Sequence, residues 1–158
     1  MFRWLLNLLR GRSHVADSFN QRIVAQSRQL VDAGSLFRLA LSQWLNLGGS
    51  TLELNAAFEH MSKVVCRVAT EAAALRLPEG IQGGEDLLEA FHSFVKREVA
   101  LINTCWPEVL SLTDNSSPEA VTQQICALIE REGPAEDLLL CQLHRLQTQF
   151  LAANTRGT

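Results

Sequence analysis

One apolar stripe, between residues 50 and 76, constrains the fold of this chain most. Ser50 and Glu53 have the S-x-x-E spacing of a capping box, which satisfies free amide donors at a helix start. The apolar residues that follow alternate at spacings of four and three: Leu54, Phe58, Met61, Val65, Val68, Ala72 and Leu75. This spacing places them on one face of a helix, and Pro78 prevents its continuation. Such a long one-sided helix needs several partner helices.

The rest of the chain supplies these partners, because its apolar residues also recur with helical periodicity and no strand-like alternation persists. The predicted helices span about 2–10, 17–33, 36–46, 50–76, 85–105, 118–132 and 135–153. Helix ends are expected at Gly11, at Gly133 and at Trp106-Pro107, whereas Gly34 is consistent with either a break or a bend. Ser117 as a cap and Pro118 as the first helical residue indicate another helix start, and the residues of that helix expected to point inward are Val121, Ile125, Leu128 and Ile129. We therefore predict an all-α, single-domain bundle of five or six helices, largely antiparallel, with an amphipathic N-terminal helix. The predicted organisation is a helix at 1–12, a bundle at 13–153 and a disordered tail at 154–158.

The N-terminal segment, residues 1–12, is the most informative short stretch. It combines bulky apolar side chains with arginines, and a helix of this length is marginal in water unless it docks on something. Four interpretations stay open: a cover for the domain's own core, an interfacial membrane anchor, a targeting presequence and an oligomer contact. The candidate membrane- or partner-binding residues are Phe2, Arg3, Trp4, Leu5, Leu8, Leu9, Arg10 and Arg12.

Charge excludes nucleic acid as the expected partner. The chain has a net charge of −3, but its first 40 residues carry +4 and the remainder carries −7. Phosphate binding requires a basic surface, and the chain also lacks tyrosine for base stacking. The basic N-terminal end instead suits an anionic membrane surface or an acidic protein partner.

The cysteines and the hydropathy predict a cytoplasmic protein, with association to a membrane surface as a further option. Cys66, Cys105, Cys126 and Cys141 form no C-x-x-C pair, and no signal peptide or spanning segment is evident. We expect reduced thiols that lie beside apolar stripes and act as small buried hydrophobic groups.

Two residue pairs at helical spacing are candidates for metal binding. Glu89 and His92 have the Glu-x-x-His spacing of di-iron helices, and Cys141 and His144 have a comparable spacing. Neither pair has the further ligands that such centres require, so we expect no metal, no cofactor and no catalytic residues.

Together these features predict a non-catalytic helical adaptor that acts by protein–protein binding. Its N-terminal helix would recruit it to a membrane surface, and a homo-oligomer is a further option. The alternative is a ligand- or metal-binding carrier, or an enzyme, with its site inside the bundle near Glu89 and His92.

Overall fold

The computed structural model describes the backbone of residues 2–114 and 116–155, and the side chains of 14–114 and 116–154. These residues form helices and no strand, so the all-α prediction is confirmed. The elements are α1 (Phe2–Leu47), α2 (Thr51–Ala74), α3 (Gly84–Ala100), a π-helical turn (Leu101–Cys105), α4 (Trp106–Thr113) and α5 (Pro118–Thr155). Because α3, the π turn and α4 follow one another without a break, the described chain has four helical segments rather than five or six.

The four segments form a bundle in which α1 and α3 each pack against both α2 and α5. Cross-helix contacts give the directions of the helices. On α1 and α2, Gln26 Nε2 donates to Glu71 Oε2 at 3.1 Å, while the rings of Phe37 and Phe58 lie 5.7 Å apart. Higher residue numbers on α1 thus face lower numbers on α2, so the two helices are antiparallel.

Helix α5 is antiparallel to both of its neighbours. Phe19 near the start of the described part of α1 contacts Phe150 near the end of α5, with ring centroids 5.7 Å apart. Asn154, also at the end of α5, bonds through its side chain to the backbone of Gln82, just before α3. The connectivity is therefore up-down-up-down, the simplest four-helix topology.

The predicted stripe on α2 is the part of the core that the sequence located best. Six of its seven residues are buried, and Phe58 is the half-buried exception. The facing helices contribute the large fully buried side chains Ile23, Phe37, Leu87, Phe91, Phe94 and Phe150. This single core explains why the four segments fold as one body.

Both predicted helix starts have a serine cap. Ser50 Oγ accepts a hydrogen bond from the backbone N–H of Leu52 at 3.2 Å, and Ser117 Oγ accepts one from Ala120 at 3.3 Å. Pro118 is the first residue of α5, where its missing N–H costs nothing. Helix α2 ends at Ala74, before Pro78, because the chain becomes extended at Leu75.

The predicted helix ends at Gly11 and Gly133 were wrong, and Gly34, for which the sequence left a break or a bend open, does not break its helix. Helix α1 continues through Gly11 and Gly34, and α5 continues through Gly133 and Pro134. A glycine within a helix costs only about 1 kcal/mol, which the packing of the flanking turns can outweigh. Consequently residues 2–12 belong to the backbone of α1 and do not form a separate helix, and α5 includes Asn154, which was assigned to the tail.

The expected closure at Trp106-Pro107 was also wrong, because the helix widens there instead of ending. In the π turn, the N–H of Trp106 bonds to the carbonyl of Leu101, five residues back. A proline in a regular helix clashes with the carbonyl four residues before it, and a widened turn is one way to relieve that clash. The turn lets α4 continue to Thr113 in contact with α5.

Candidate functional site

An open groove with an apolar floor lies between α1 and α5. Its volume is 470 Å³, within the range of about 300–1,000 Å³ typical of binding pockets. Its floor is apolar and consists of Leu41, Leu45, Leu101, Trp106, Ile125 and Leu128, with Ile129 at the edge. Its polar edge consists of Arg38, Ser42, Glu132, Glu136 and Asp137. We call these residues, with Gly133, the α1–α5 groove.

A smaller cavity of 200 Å³ adjoins the groove and shares five lining residues with it, among them Arg38 and Trp106. Gly34 of α1 lines the cavity, and Gly133 of α5 lines the groove. A Cβ atom at Gly34 would meet no atom within 4 Å, and one at Gly133 would meet only Ile129 Cγ2 at 3.9 Å. The missing side chains at these two glycines therefore leave part of the open space between α1 and α5.

Glu98 of α3 lies in the cavity and has the most perturbed carboxyl group of the described chain. Burial and the nearby Glu136 carboxylate raise the pKa of Glu98 from 4.5 to about 7, against a smaller opposing effect of Arg38 and Arg97. Among the described residues, no ion pair within 4 Å includes Glu98, Glu136 or Asp137. Three carboxyl groups are thus concentrated where the cavity and the groove meet, and Arg38, which lines both, acts on Glu98 without forming an ion pair within 4 Å.

The carboxylate of Glu132, in contrast, is paired with two arginines, and one of these pairs connects α5 to α3. The carboxylate pairs with Arg97 of α3 and, at 2.7 Å, with Arg131 Nε. Arg97 also donates to the Glu132 backbone carbonyl at 3.4 Å. These bonds connect the turn of α5 before Gly133-Pro134 to α3, so α3 supports the part of the groove edge that contains Glu132.

The predicted binding residues of the N-terminal segment, from Phe2 to Arg12, have side chains outside those that the structure describes. They lie on the first turns of α1, whereas the α1 side of the groove is formed by residues 38–45 of the same helix. The structure therefore does not place the segment in its own groove.

The metal-binding candidates are not assembled into a centre. His92 Nε2 donates to the carbonyl of Ala72 at 2.9 Å, and Glu89 lies on the exposed side of α3. Cys141 and His144 are exposed on α5. Among the described residues, no group of three or more His, Cys, Asp or Glu side chains could hold a metal ion.

The cysteines differ from the prediction. All four have free thiols, but only Cys105, in the π turn, is buried, and Cys66, Cys126 and Cys141 are exposed. Each of the exposed three lies next to an apolar stripe position along the chain, on the outer side of its helix. Adjacency to a stripe in sequence therefore did not imply burial, because neighbouring residues on a helix point about 100° apart.

Sequence reasoning missed the groove residues as a site. It assigned Ile129 to the interior, but this side chain is 59% exposed at the groove edge. It treated Gly133 as a helix end and left Gly34 open between a break and a bend, although both border open space inside continuous helices. The available signal was the group of acidic residues Glu132, Glu136 and Asp137 around Gly133, which the interpretation of Gly133 as a helix end concealed.

No protein-family model, curated protein or solved structure matches this chain. The structural class of the chain therefore follows from its own geometry: it is a four-helix bundle with an apolar groove between the first and last helices. None of the helices in the described ranges is both long and apolar enough to cross a membrane.

Proposed function

We propose that this protein is a non-catalytic binding module that holds an amphipathic helix of a partner protein in the α1–α5 groove. The observation that carries the proposal is an open, apolar-floored groove with an acidic edge. Laying the apolar face of a helix into such a groove is a common mode of recognition between proteins.

The floor of the groove supports an apolar contact. Leu41, Ile125 and Leu128 are buried, while Trp106 is half-buried and contributes a large aromatic surface. Aromatic side chains at the centre of an interface commonly supply much of the binding energy. A partner helix would bury the remaining exposed area of Trp106 and the exposed side chain of Ile129.

The edge of the groove supports a basic partner. Glu136 and Asp137 lie on the α5 side without a paired cation in the described chain, and Arg38 lies on the α1 side. A helix that carries arginine or lysine next to its apolar face would neutralise these carboxylates. Complementary charge of this kind increases specificity and association rate.

A binding role fits the groove better than catalysis. The described residues that line it include no histidine or cysteine, and its floor is apolar. Recruitment to an anionic membrane by the N-terminal segment stays a prediction from the sequence and is one outcome of the test below.

The test uses a synthetic amphipathic peptide of leucine and arginine, labelled for fluorescence anisotropy. We expect the full chain to bind it with a Kd on the order of 10 µM and to bind a leucine–glutamate peptide at least ~10-fold more weakly. Ile129→Glu places a charge at the groove edge and should weaken binding at least ~10-fold. Leu138→Glu is the matched control, because Leu138 is 68% exposed on the same helix but does not line the groove.

Equal binding by the two peptides, or an equal effect of the two substitutions, would contradict the proposal. A second blocking variant, Gly133→Leu, adds a side chain on the groove wall and should weaken binding while keeping the helix. If the chain instead fails to bind the peptide and sediments with anionic phospholipid vesicles, membrane binding replaces peptide binding in the groove as the proposed function.

A further inference from the structure

The chain itself contains a segment with the chemistry that the α1–α5 groove selects. Residues 2–12 contain two aromatic and four leucine side chains together with three arginines, and residues 1–16 contain no acid. These properties match the apolar floor and the negative edge formed by Glu136 and Asp137. Charge complementarity therefore points to this segment as an occupant.

The segment cannot reach the groove of its own chain. Helix α1 is continuous from Phe2 to Leu47, and the groove is formed by the last turns of that same helix. At about 1.5 Å per residue, Leu8 and Leu41 are about 50 Å apart along the helix. Only the segment of a second copy can enter the groove while α1 keeps its shape.

We infer that residues 2–12 of a second copy of this chain dock in the α1–α5 groove, so that the protein associates with itself. The inference rests on the proposed function, because it names the partner helix that the same groove binds.

The surface between the segment and the groove supports this arrangement. Val24 and Val31 are exposed by 37% and 43% and lie fourteen and seven residues, respectively, before Arg38 of the groove edge. Positions seven residues apart lie on nearly the same side of a helix, only about 20° apart. Val24 and Val31 therefore place two exposed apolar side chains on nearly the same side of α1 as Arg38, between the groove and the N-terminal segment.

This line allows a reciprocal dimer. Val24 lies midway along α1 between the segment and the groove-lining turns. Two α1 helices that cross antiparallel near Val24 would each deliver a segment to the other copy's groove. The same surface would then be used twice, as a closed two-fold dimer requires.

The first experiment measures the oligomeric state of the full chain by sedimentation velocity over a range of concentrations. We expect a concentration-dependent dimer. Ile129→Glu on the groove side and Trp4→Asp on the segment side should each raise the dimer Kd at least ~10-fold. Leu138→Glu, the control, should leave it unchanged. A wild-type chain that stays monomeric overturns the inference.

Mixing the two defective variants tests segment-in-groove docking directly. The Ile129→Glu chain keeps an intact segment, and the Trp4→Asp chain keeps an intact groove. Their mixture should form a heterodimer through one intact contact, although each variant alone is largely monomeric. No heterodimer in the mixture overturns the inference, even if wild type dimerises by another surface.

The failure of this inference and that of the proposed function are distinguishable. Binding of the leucine–arginine peptide by a monomeric wild-type chain preserves the proposed function and overturns self-association. A dimer that is insensitive to Ile129→Glu, combined with no peptide binding, overturns both. A third outcome is that the wild-type chain is monomeric and sediments with anionic vesicles, whereas Trp4→Asp does not. This outcome assigns the segment to membrane binding and overturns self-association.

Discussion

The rings of Phe37 on α1 and Trp106 on α4 meet edge to face, with centroids 4.9 Å apart and an interplanar angle of 77°. Phe37 is fully buried and also contacts Phe58 on α2, so it connects three helical segments. Trp106 has its other side on the floor of the α1–α5 groove. The π turn just before Trp106 thus helps to place one side chain in both the core and the groove.

We expect Trp106→Ala to lower the free energy of unfolding by about 1–3 kcal/mol, because it removes the contact with Phe37 and enlarges the groove. Trp106→Phe should lose less, since a smaller ring can keep an edge contact. Urea denaturation monitored by circular dichroism measures both. Unchanged stability of Trp106→Ala would contradict the role of this ring in the core.

A second prediction compares two phenylalanines with different burial. The sequence stripe alone suggests a large loss for Phe58→Ala, but Phe58 is half-buried, whereas Phe91 has no exposed surface. We expect Phe91→Ala to cost about 3–5 kcal/mol and Phe58→Ala about 1–2 kcal/mol. Equal losses in urea denaturation would show that exposure does not set the difference.

The sequence was sufficient to predict the all-α fold and the core face of α2, because local periodicity and capping determine both. Ser50 and Ser117 were recognisable as caps, and Pro118 as the first residue of α5, from short patterns. Helix continuation at Gly34 was not predictable from the chain alone. It depends on packing of the flanking turns against distant segments, which outweighs a small local preference.

The groove was not predictable for a related reason. Its floor brings Leu41 of α1 next to Ile125 of α5, residues far apart in sequence, and the space between them depends on how the two helices pack. Periodicity identifies the inward face of α5 but not the point where that face stops being covered. Ile129 was therefore assigned to the core although it lies at an open edge.

Substituting alanine at two glycines within helices should change the stability of the fold in opposite directions. A Cβ at Gly34 would meet nothing within 4 Å, so Gly34→Ala should stabilise α1 by about 0.5–1 kcal/mol. A Cβ at Gly84 would lie 2.1 Å from Leu77 Cδ1, so Gly84→Ala must displace that side chain and should destabilise the fold. Thermal unfolding of both variants tests this. A lower melting temperature for Gly34→Ala would contradict the open space at the cavity.

The carboxyl group of Glu98 provides a pH prediction, because charged groups from three helices surround it. Glu136 and Asp137 of α5 share its cavity, as does Arg38 of α1, and Arg97 precedes it on α3. Burial and Glu136 together raise the pKa of Glu98 from 4.5 to about 7, so the folded state holds a proton that the unfolded state has released between these values.

The stability contributed by Glu98 should therefore be fully present below pH 4.5 and decrease as the pH rises to about 7. Glu98→Gln mimics the protonated carboxyl and removes this decrease. At pH 8 the variant should be more stable than wild type, by on the order of 1 kcal/mol because the side chain is partly exposed, and near pH 4.5 the two should be similar.

The measurement is the difference in free energy of unfolding between the two proteins at a series of pH values, which cancels the other titrating groups. Glu108→Gln, at an exposed glutamate outside the cavity, is the matched control and should give a flat difference. A flat difference for Glu98→Gln as well would show that the cavity does not hold a proton on Glu98.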